Sequence, residues 1–115
     1  MIQQILREYL TLEGVTTAAL IGRDGFCIAL ATHDGVDPDA LGALAAQVMT
    51  LFARGSAALD GGRLQRLLLE FRGGAAIITP VTDEEFLVIL TRTTESVGRL
   101  NYLIAVSAPR VAAAM

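Results

Sequence analysis

The chain has few of the residues that most often build catalytic and metal sites. It contains one cysteine, Cys27, one histidine, His33, and no lysine. A single cysteine cannot form a disulfide within the chain, which fits a reducing cytoplasm. A single histidine cannot supply a histidine pair for a metal ion, so no metal site is predicted. The sequence is therefore not expected to encode an enzyme.

Two further absences limit the partners and the location that we expect. The net charge is −3, and no basic stripe with interleaved aromatic residues is present, which argues against nucleic-acid binding. Charged side chains interrupt every apolar run before it reaches the length of about eighteen residues that a membrane helix needs. The first residues have neither a basic nor a long apolar segment, so export is not expected. We predict a cytoplasmic protein without membrane insertion.

Glycine is concentrated in short segments that indicate turns. The glycine-rich segments at 22–25 and 61–63 match neither a phosphate-binding loop nor a dinucleotide fingerprint. Neither precedes a predicted helix, as phosphate binding at a helix N-terminus requires. No cofactor is therefore predicted.

Apolar residues are what the sequence has in excess. They make up 53% of the 115 residues, a large share for a chain of a length that fits one domain, 1–115. A sheet that is buried on both faces explains part of this excess. The remainder indicates apolar surface that is reserved for a partner.

The clearest pattern lies between residues 61 and 92. Apolar runs at 64–71, 75–81 and 85–92 are separated by short turns, and the pair Gly73-Gly74 is typical of a hairpin. Residues 86–90 are apolar at every position, so this strand should be covered on both faces. The pattern predicts a three-stranded antiparallel meander.

Upstream of the meander, the sequence predicts a helix and a hairpin. Residues 2–12 have apolar side chains at helical spacing. Strands are predicted at 15–21 and 26–31, joined by a tight turn with Gly25 in a left-handed conformation.

Two more helices complete the predicted order αββαβββα. The long one begins at Pro38, with Asp37 as N-cap, and ends near Leu59. The last begins at Thr94 or Ser96. It is expected to kink or end at Pro109, because proline lacks the backbone N–H of a helix interior.

The long helix has two apolar stripes on a helical wheel. The stripe centred on Leu41 includes Leu44, Phe52 and Leu59 and is predicted to pack on the sheet. A second stripe of mostly small side chains lies about a quarter-turn away. Because we expect the terminal helices on the opposite face of the sheet, this second stripe is predicted to pair with the same helix of a second chain. Its members are Gly42, Ala46, Met49, Ala53 and Ser56.

The candidate chemical groups all have simpler structural interpretations. His33 lies in a polar loop and is interpreted as a solvated side chain. Cys27 has small apolar neighbours and no adjacent cation, which favours a buried, inert thiol. The acidic run 83–85 is interpreted as a solvated turn. Arg54 could act as an arginine finger toward a GTPase. We prefer to interpret it as one charged side chain on a solvent-exposed strip of the helix, since an arginine finger normally comes from a loop.

Several local segments resemble the Roadblock/dynein-light-chain family, in its bacterial branch of MglB-type regulators. Gly14-Val15, leading through 18–21 to Arg23-Asp24-Gly25-Phe26, is similar to the family's opening hairpin. The order and spacing of the similar segments extend the resemblance over almost the whole chain. The segments similar to the meander and the last helix are 64–71, 73–74, 77–81, 86–90 and 96–100.

The resemblance implies an α+β fold of the roadblock/profilin type. In this fold a five-stranded antiparallel sheet has the long helix on one face and both terminal helices on the other. The resemblance also implies a homodimer that pairs the long helices and joins two sheets at the edge strand through Leu67 and Leu69. Family members are generally non-enzymatic platforms for small Ras-like GTPases. MglB-type members stimulate hydrolysis by repositioning the GTPase's own residues.

The sequence thus predicts a homodimeric adaptor that binds a small Ras-like GTPase and modulates its nucleotide state. Such binding shifts the partner's conformations only through a difference in affinity between them. The predicted contact surface is the outer side of the paired long helices. Its residues are Gln47, Thr50 and Arg54, with the loop residues Asp34 and Asp37.

Two alternatives stay open. A dimeric scaffold in a bacterial signalling complex, independent of any GTPase, would use the same pair of helices. A sensor of a small ligand would need a cavity between the sheet and the long helix. The side chains expected to fill that space are Phe26, Ile28, Phe52 and Phe86.

Overall fold

The helices and strands follow one another in the predicted order in a computed structural model of the chain. The structure describes residues 1–95 and 97–115, and only the backbone of residues 56 and 57. Ser96, one predicted start of the last helix, thus lies outside the described residues. The described elements are α1 (Ile2–Tyr9), β1 (Val15–Gly22), β2 (Cys27–Thr32), α2 (Pro38–Leu59), β3 (Leu67–Phe71), β4 (Gly74–Pro80), β5 (Glu85–Thr91) and α3 (Val97–Ala113).

The five strands form one antiparallel sheet in the order β2-β1-β5-β4-β3. Strand β5 lies at the centre, where Ile89 pairs with Ala18 of β1 and with Ile77 of β4. Alternate residues of β5 enter the cores on the two faces: Leu87 on one, Val88 on the other. The predicted meander, with its doubly buried last strand, is confirmed.

Helices cover both faces of the sheet, as the resemblance implied. Helices α1 and α3 lie on one face, where Leu6 and Ile104 are fully buried with Leu20 of β1. Helix α2 lies on the other, where Leu41 and Ala45 are buried. The predicted α+β class, with one long helix opposite two terminal helices, is confirmed.

Strand β3 is shorter than the sequence predicted, beginning at Leu67 and not at residue 64. Its first pair joins Leu67 to Ile78, and its partner strand ends at Pro80. Proline has no N–H to donate, so it ends the ladder that residues 64–66 would have joined. Residues 64–66 therefore leave the sheet.

Helix α3 continues through Pro109 to Ala113, so it does not end at the proline, as one of the two expectations had it. The turn that follows is held by Val111, which is fully buried, and by an ion pair between Arg110 and Glu8 of α1 at 3.1 Å. The hydroxyls of Tyr9 and Ser107 also hydrogen-bond between the two helices. These contacts offset the backbone hydrogen bond that Pro109 cannot make.

The side of α2 that meets the rest of the chain differs from the prediction. Gly42 packs against the β1–β2 turn, where a Cβ on Gly42 would lie 2.1 Å from the carbonyl oxygen of Gly25. Gly25 itself has the predicted left-handed conformation, with φ at 87°. Ala46 and Met49 are half-buried against the core. Gly42 is therefore occupied within its own chain and cannot approach a second helix.

The stripe of larger side chains does not all face the sheet either. Leu44, Phe52 and Leu59 are 59%, 42% and 83% exposed. The prediction that this stripe packs on the sheet is therefore confirmed for Leu41 and Ala45, which are buried, and wrong for Leu44, Phe52 and Leu59.

Two alanine substitutions in α2 should have opposite effects. Gly42→Ala should lower the free energy of unfolding by about 1–3 kcal/mol, since the new methyl group meets backbone atoms. Gly55→Ala should raise it by about 0.5–1 kcal/mol, because alanine is the better helix former and nothing lies within 4 Å of the added carbon. Urea unfolding measures both changes. Effects of the same sign would contradict this placement of the helix.

Candidate functional site

Helix α2 leaves part of its face of the sheet open. It packs mainly on β1 and β2, and a cavity of about 660 Å³ lies between its second half and the turn of the β4–β5 hairpin. We call this cavity the α2 groove. It is lined by Met49, Thr50, Ala53 and Arg54 of the helix, by residues 80–83, 85 and 86 opposite, and by loop residues that include Arg23 and Arg63.

The side chains that were expected to fill this space do not do so. Phe26, Ile28 and Phe52 are 69%, 46% and 42% exposed. Only Phe86 is buried, and it lies at the base of the α2 groove. The prediction of a filled interior is therefore wrong for three of the four residues.

The acidic run at 83–85 is a hydrogen-bonded turn that forms one wall of the groove. The Thr82 hydroxyl accepts hydrogen bonds from the N–H groups of Glu84 and Glu85 at 3.1 and 3.0 Å and donates one to the Glu85 carboxylate. Asp83 pairs with Arg63 across the mouth. The hydrogen-bonded Arg63 guanidinium holds the pKa of the Asp83 carboxyl below its ordinary value. The interpretation of this run as a turn is confirmed.

Three arginines from separate segments meet at the groove. Arg23 comes from the β1–β2 turn, Arg54 from α2 and Arg63 from the loop after it. The backbone N–H of Arg23 donates to the Glu84 carbonyl at 2.8 Å, which ties the two hairpin turns together. Among the described residues, Arg63 has an ion pair and the side chains of Arg23 and Arg54 have none. Sequence reasoning missed Arg23 and Arg63, because only the fold brings their loops together.

The structure brings together three of the five predicted partner-binding residues. Gln47, Thr50 and Arg54 are exposed and line one shallow pocket of about 340 Å³. Asp37 caps α2, accepting the Asp39 N–H at 3.0 Å as its predicted role requires. Asp34 pairs with Arg92 at 2.9 Å. Because an α-helix rises about 1.5 Å per residue, Asp37 lies roughly 15 Å along the axis from Gln47.

The residues predicted to form a dimer interface lie in three places. Gly42 packs against its own chain, whereas Ala46, Met49 and Ala53 line the α2 groove. The side chain of Ser56 lies outside the described residues. Leu67 and Leu69 are half-buried on the α2 side of β3, which forms one edge of the sheet.

Sequence reasoning missed the exposed apolar face of α2. This outer face consists of Leu44, Leu51, Phe52 and Leu59, which are 42% to 83% exposed. Three of them had been assigned to the sheet, and Leu51 to no surface. The helix is apolar around nearly its whole circumference. Its composition therefore showed that a second side needs a partner, but it did not show which side that is. The close approach at Gly42 was the missing signal.

The remaining candidate groups show no arrangement for chemistry. His33 is exposed, with Nε2 at 3.3 Å from the Leu10 carbonyl oxygen. Cys27 is half-buried, and burial raises the pKa of its thiol. No group of three metal-ligating side chains occurs among the residues that the structure describes. Within the same residues, each helix is too short or too polar to cross a membrane.

Comparison with known proteins identifies the family. The sequence model of the Roadblock/LC7 domain matches residues 1–91, which is most of the chain. The chain belongs to the Roadblock/LC7 family. The predicted resemblance is thereby confirmed.

Relatives of this Roadblock/LC7 chain match over nearly its full length. The uncharacterised protein MJ0310 of Methanocaldococcus jannaschii is 26% identical over 113 residues, 98% of each chain. MglB of Myxococcus xanthus has a TM-score of 0.88 at 15% identity, covering 96% of this chain and 91% of its own. A structure described as MglB with tetrameric arrangement has a TM-score of 0.86 at 21% identity, covering 96% and 85%. At these identities the likeness to MglB concerns the fold.

The predicted profilin-like fold is confirmed. Profilin IA of Acanthamoeba castellanii has a TM-score of 0.60 at 15% identity, covering 97% of this chain and 94% of its own.

The pair of Asp83 and Arg63 in the wall of the groove leads us to predict how stability depends on pH. A lowered pKa means that the folded state favours the Asp83 carboxylate. Its contribution to stability is therefore present above the ordinary carboxyl pKa and is lost as the pH falls through the folded value. Arg63→Gln should return the Asp83 pKa toward its ordinary value, whereas Arg72→Gln, in the β3–β4 turn, should leave it unchanged. NMR titration of the carboxyl group measures the Asp83 pKa in each variant. Equal changes of this pKa in the two variants would contradict the pairing of Asp83 with Arg63.

Proposed function

We propose that the chain is a non-catalytic, homodimeric adaptor that binds a small Ras-like GTPase and modulates its nucleotide state. The observation that carries this proposal is the exposed apolar outer face of α2, beside the exposed polar strip of Gln47, Thr50 and Arg54. Contiguous apolar surface rimmed by polar residues marks sites of protein interaction. We place the adaptor in the cytoplasm, with residues 1–115 as one domain.

The proposal of a homodimer is supported by two surfaces on the same side of the sheet. Leu51 and Phe52, on the outer face of α2, are 67% and 42% exposed. Strand β3 is an edge strand, and an open edge is a template for pairing with another chain. A two-fold dimer through these surfaces needs to bury on the order of 1,500–2,500 Å² in total. The proposal is also supported by a solved structure of the same fold that is described as MglB with tetrameric arrangement.

The proposal of a GTPase partner is supported by family membership and by the polar strip. Gln47, Thr50 and Arg54 present an amide, a hydroxyl and a guanidinium within one shallow pocket. These groups can hydrogen-bond a polar partner surface beside the apolar face. Binding modulates the nucleotide state only if the affinities for the GTP and GDP forms differ. Asp34 and Asp37 are exposed at the other end of α2 and would contact only an extended partner.

A double substitution on the outer face tests the dimer. Leu51→Glu with Phe52→Glu should convert a dimer into a monomer, because burying unpaired carboxylates in an apolar interface costs more than the interface contributes. Tyr102→Glu, at a position 69% exposed on α3, is the control and should leave the molar mass unchanged. Light scattering with size-exclusion chromatography measures the mass. If the double variant has the same molar mass as the unaltered protein, the proposed interface is wrong.

Affinity capture from a native lysate tests the partner. With GTPγS or GDP added, a Ras-like GTPase should be enriched in one nucleotide state only. Arg54→Ala should then weaken binding to the recovered GTPase about 5- to 30-fold, the usual loss at a residue central to an interface. Arg99→Ala on α3 is the matched control. Recovery of other signalling proteins regardless of nucleotide would instead favour the GTPase-independent scaffold.

A further inference from the structure

The two edges of the sheet differ in regularity. Strand β3 forms one edge and strand β2 the other. Strand β3 pairs with β4 without a shift in register. In β2 the register shifts, because Cys27 and Ala29 are paired with β1 and Ile28 between them is left out. Ile28 is thus the extra residue of a β-bulge, which locally disrupts the pairing of a strand.

The sequence of the β2 edge has none of the residues that usually keep an edge strand from pairing. Residues 26–32 include no charged residue, no proline and no glycine. Charged side chains and proline are common protection for an edge, and an uncharged segment of about six or seven residues with high β-propensity tends to stack on copies of itself. Phe26 and Ile28 are 69% and 46% exposed. The segment is therefore suited to pair with the same segment of a second chain.

A side chain of α1 covers the backbone of this edge. The Gln3 amide nitrogen donates a hydrogen bond to the Leu30 carbonyl oxygen at 2.8 Å. The His33 N–H donates to the Thr16 carbonyl of β1 at 2.9 Å. Because alternate residues of an antiparallel strand direct their backbone groups to opposite sides, His33 faces β1 and Leu30 faces outward. Gln3 thus takes the place of the N–H group of a further strand.

The packing of α1 fixes the position of Gln3. Ile5 and Leu6 are buried in the core on this face of the sheet. At the other end of the helix, the Leu10 carbonyl oxygen lies 3.3 Å from Nε2 of His33, just beyond β2. Helix α1 therefore runs beside β2. Gln3 is half-buried against this strand, whereas Gln4 is exposed.

We propose that the β2 edge is a latent interface for a second copy of this chain, and that the Gln3 amide keeps it closed. When the hydrogen bond to Leu30 is removed, the 26–32 segments of two chains pair as antiparallel strands in a contact that covers Phe26 and Ile28. This interface differs from the proposed homodimer, which uses the outer face of α2 and the opposite edge of the sheet. In that homodimer, a closed β2 edge limits assembly through sheet edges to two chains.

Two glutamine substitutions in α1 test the proposal. Gln3→Ala removes the hydrogen bond to Leu30, and Gln4→Ala makes the same change at the next, exposed position. Gln3→Ala should raise the weight-average molar mass at least about twofold, since each pairing joins two particles, at protein concentrations where Gln4→Ala leaves it unchanged. Light scattering over a series of protein concentrations measures the mass. Equal masses of the two variants would overturn the proposal.

A lysine at either edge of the sheet locates the contact. Ile28→Lys should abolish the additional association caused by Gln3→Ala, because a charged side chain on an edge strand opposes pairing. Leu68→Lys on β3, where Leu68 is 42% exposed, is the matched control and should leave the additional association in place. Each variant is compared with the one that has the same lysine and retains Gln3. Additional association that persists with Ile28→Lys would contradict a contact at β2.

A destabilised variant with an intact β2 edge separates edge pairing from partial unfolding. Ile104→Val removes one methyl group from a fully buried side chain of α3, which lowers stability and leaves Gln3 in place. It should not raise the molar mass, and an increase equal to that of Gln3→Ala would overturn the proposal. Circular dichroism confirms that each variant is folded.

The outcome is separable from the test of the homodimer. That test depends on the molar mass of the unaltered protein and of its Leu51→Glu, Phe52→Glu variant. The latent interface is tested by the difference between Gln3→Ala and Gln4→Ala, which is expected whether the unaltered protein is a monomer or a dimer.

Discussion

Strand β5 has to be shielded from water on both sides, and the layers of the fold follow from that requirement. Leu87, Val88 and Ile89 point to alternate faces and are at most 1% exposed. Burying each such side chain contributes roughly 1.5–3 kcal/mol. One layer of helices could shield only half of them. The chain therefore places its two terminal helices on one face and its long helix on the other.

The long helix does not cover its face completely, and this incompleteness provides the surfaces for binding. The contact of Gly42 with Gly25 draws the first half of α2 toward the β1–β2 turn. The second half lines the α2 groove, with the turn of the β4–β5 hairpin on the opposite side. Leu51 and Phe52, in the same second half of the helix, are exposed.

The sequence predicted the elements of the fold better than their relative placement. Periodicity and turn residues were sufficient for the strand order in the chain, the Asp37 cap and the conformation of Gly25, because these depend on local interactions. The start of β3 at Leu67 depends on Pro80 in the neighbouring strand. The groove depends on loops that are distant in sequence, so Arg23 and Arg63 gave no local signal. Periodicity showed that α2 is apolar on several sides, but a tertiary contact decided its rotation.

The uneven anchoring of α2 has a consequence for its local stability. Its first half has the Asp37 cap and the buried residues Leu41 and Ala45, whereas described side chains beyond Met49 are exposed. The free energy of local opening should therefore fall along the helix, and amide hydrogen exchange should become faster toward Leu59. A ligand held by the second half would slow exchange where the unbound chain is least protected. Binding and local order are thereby coupled within a single helix.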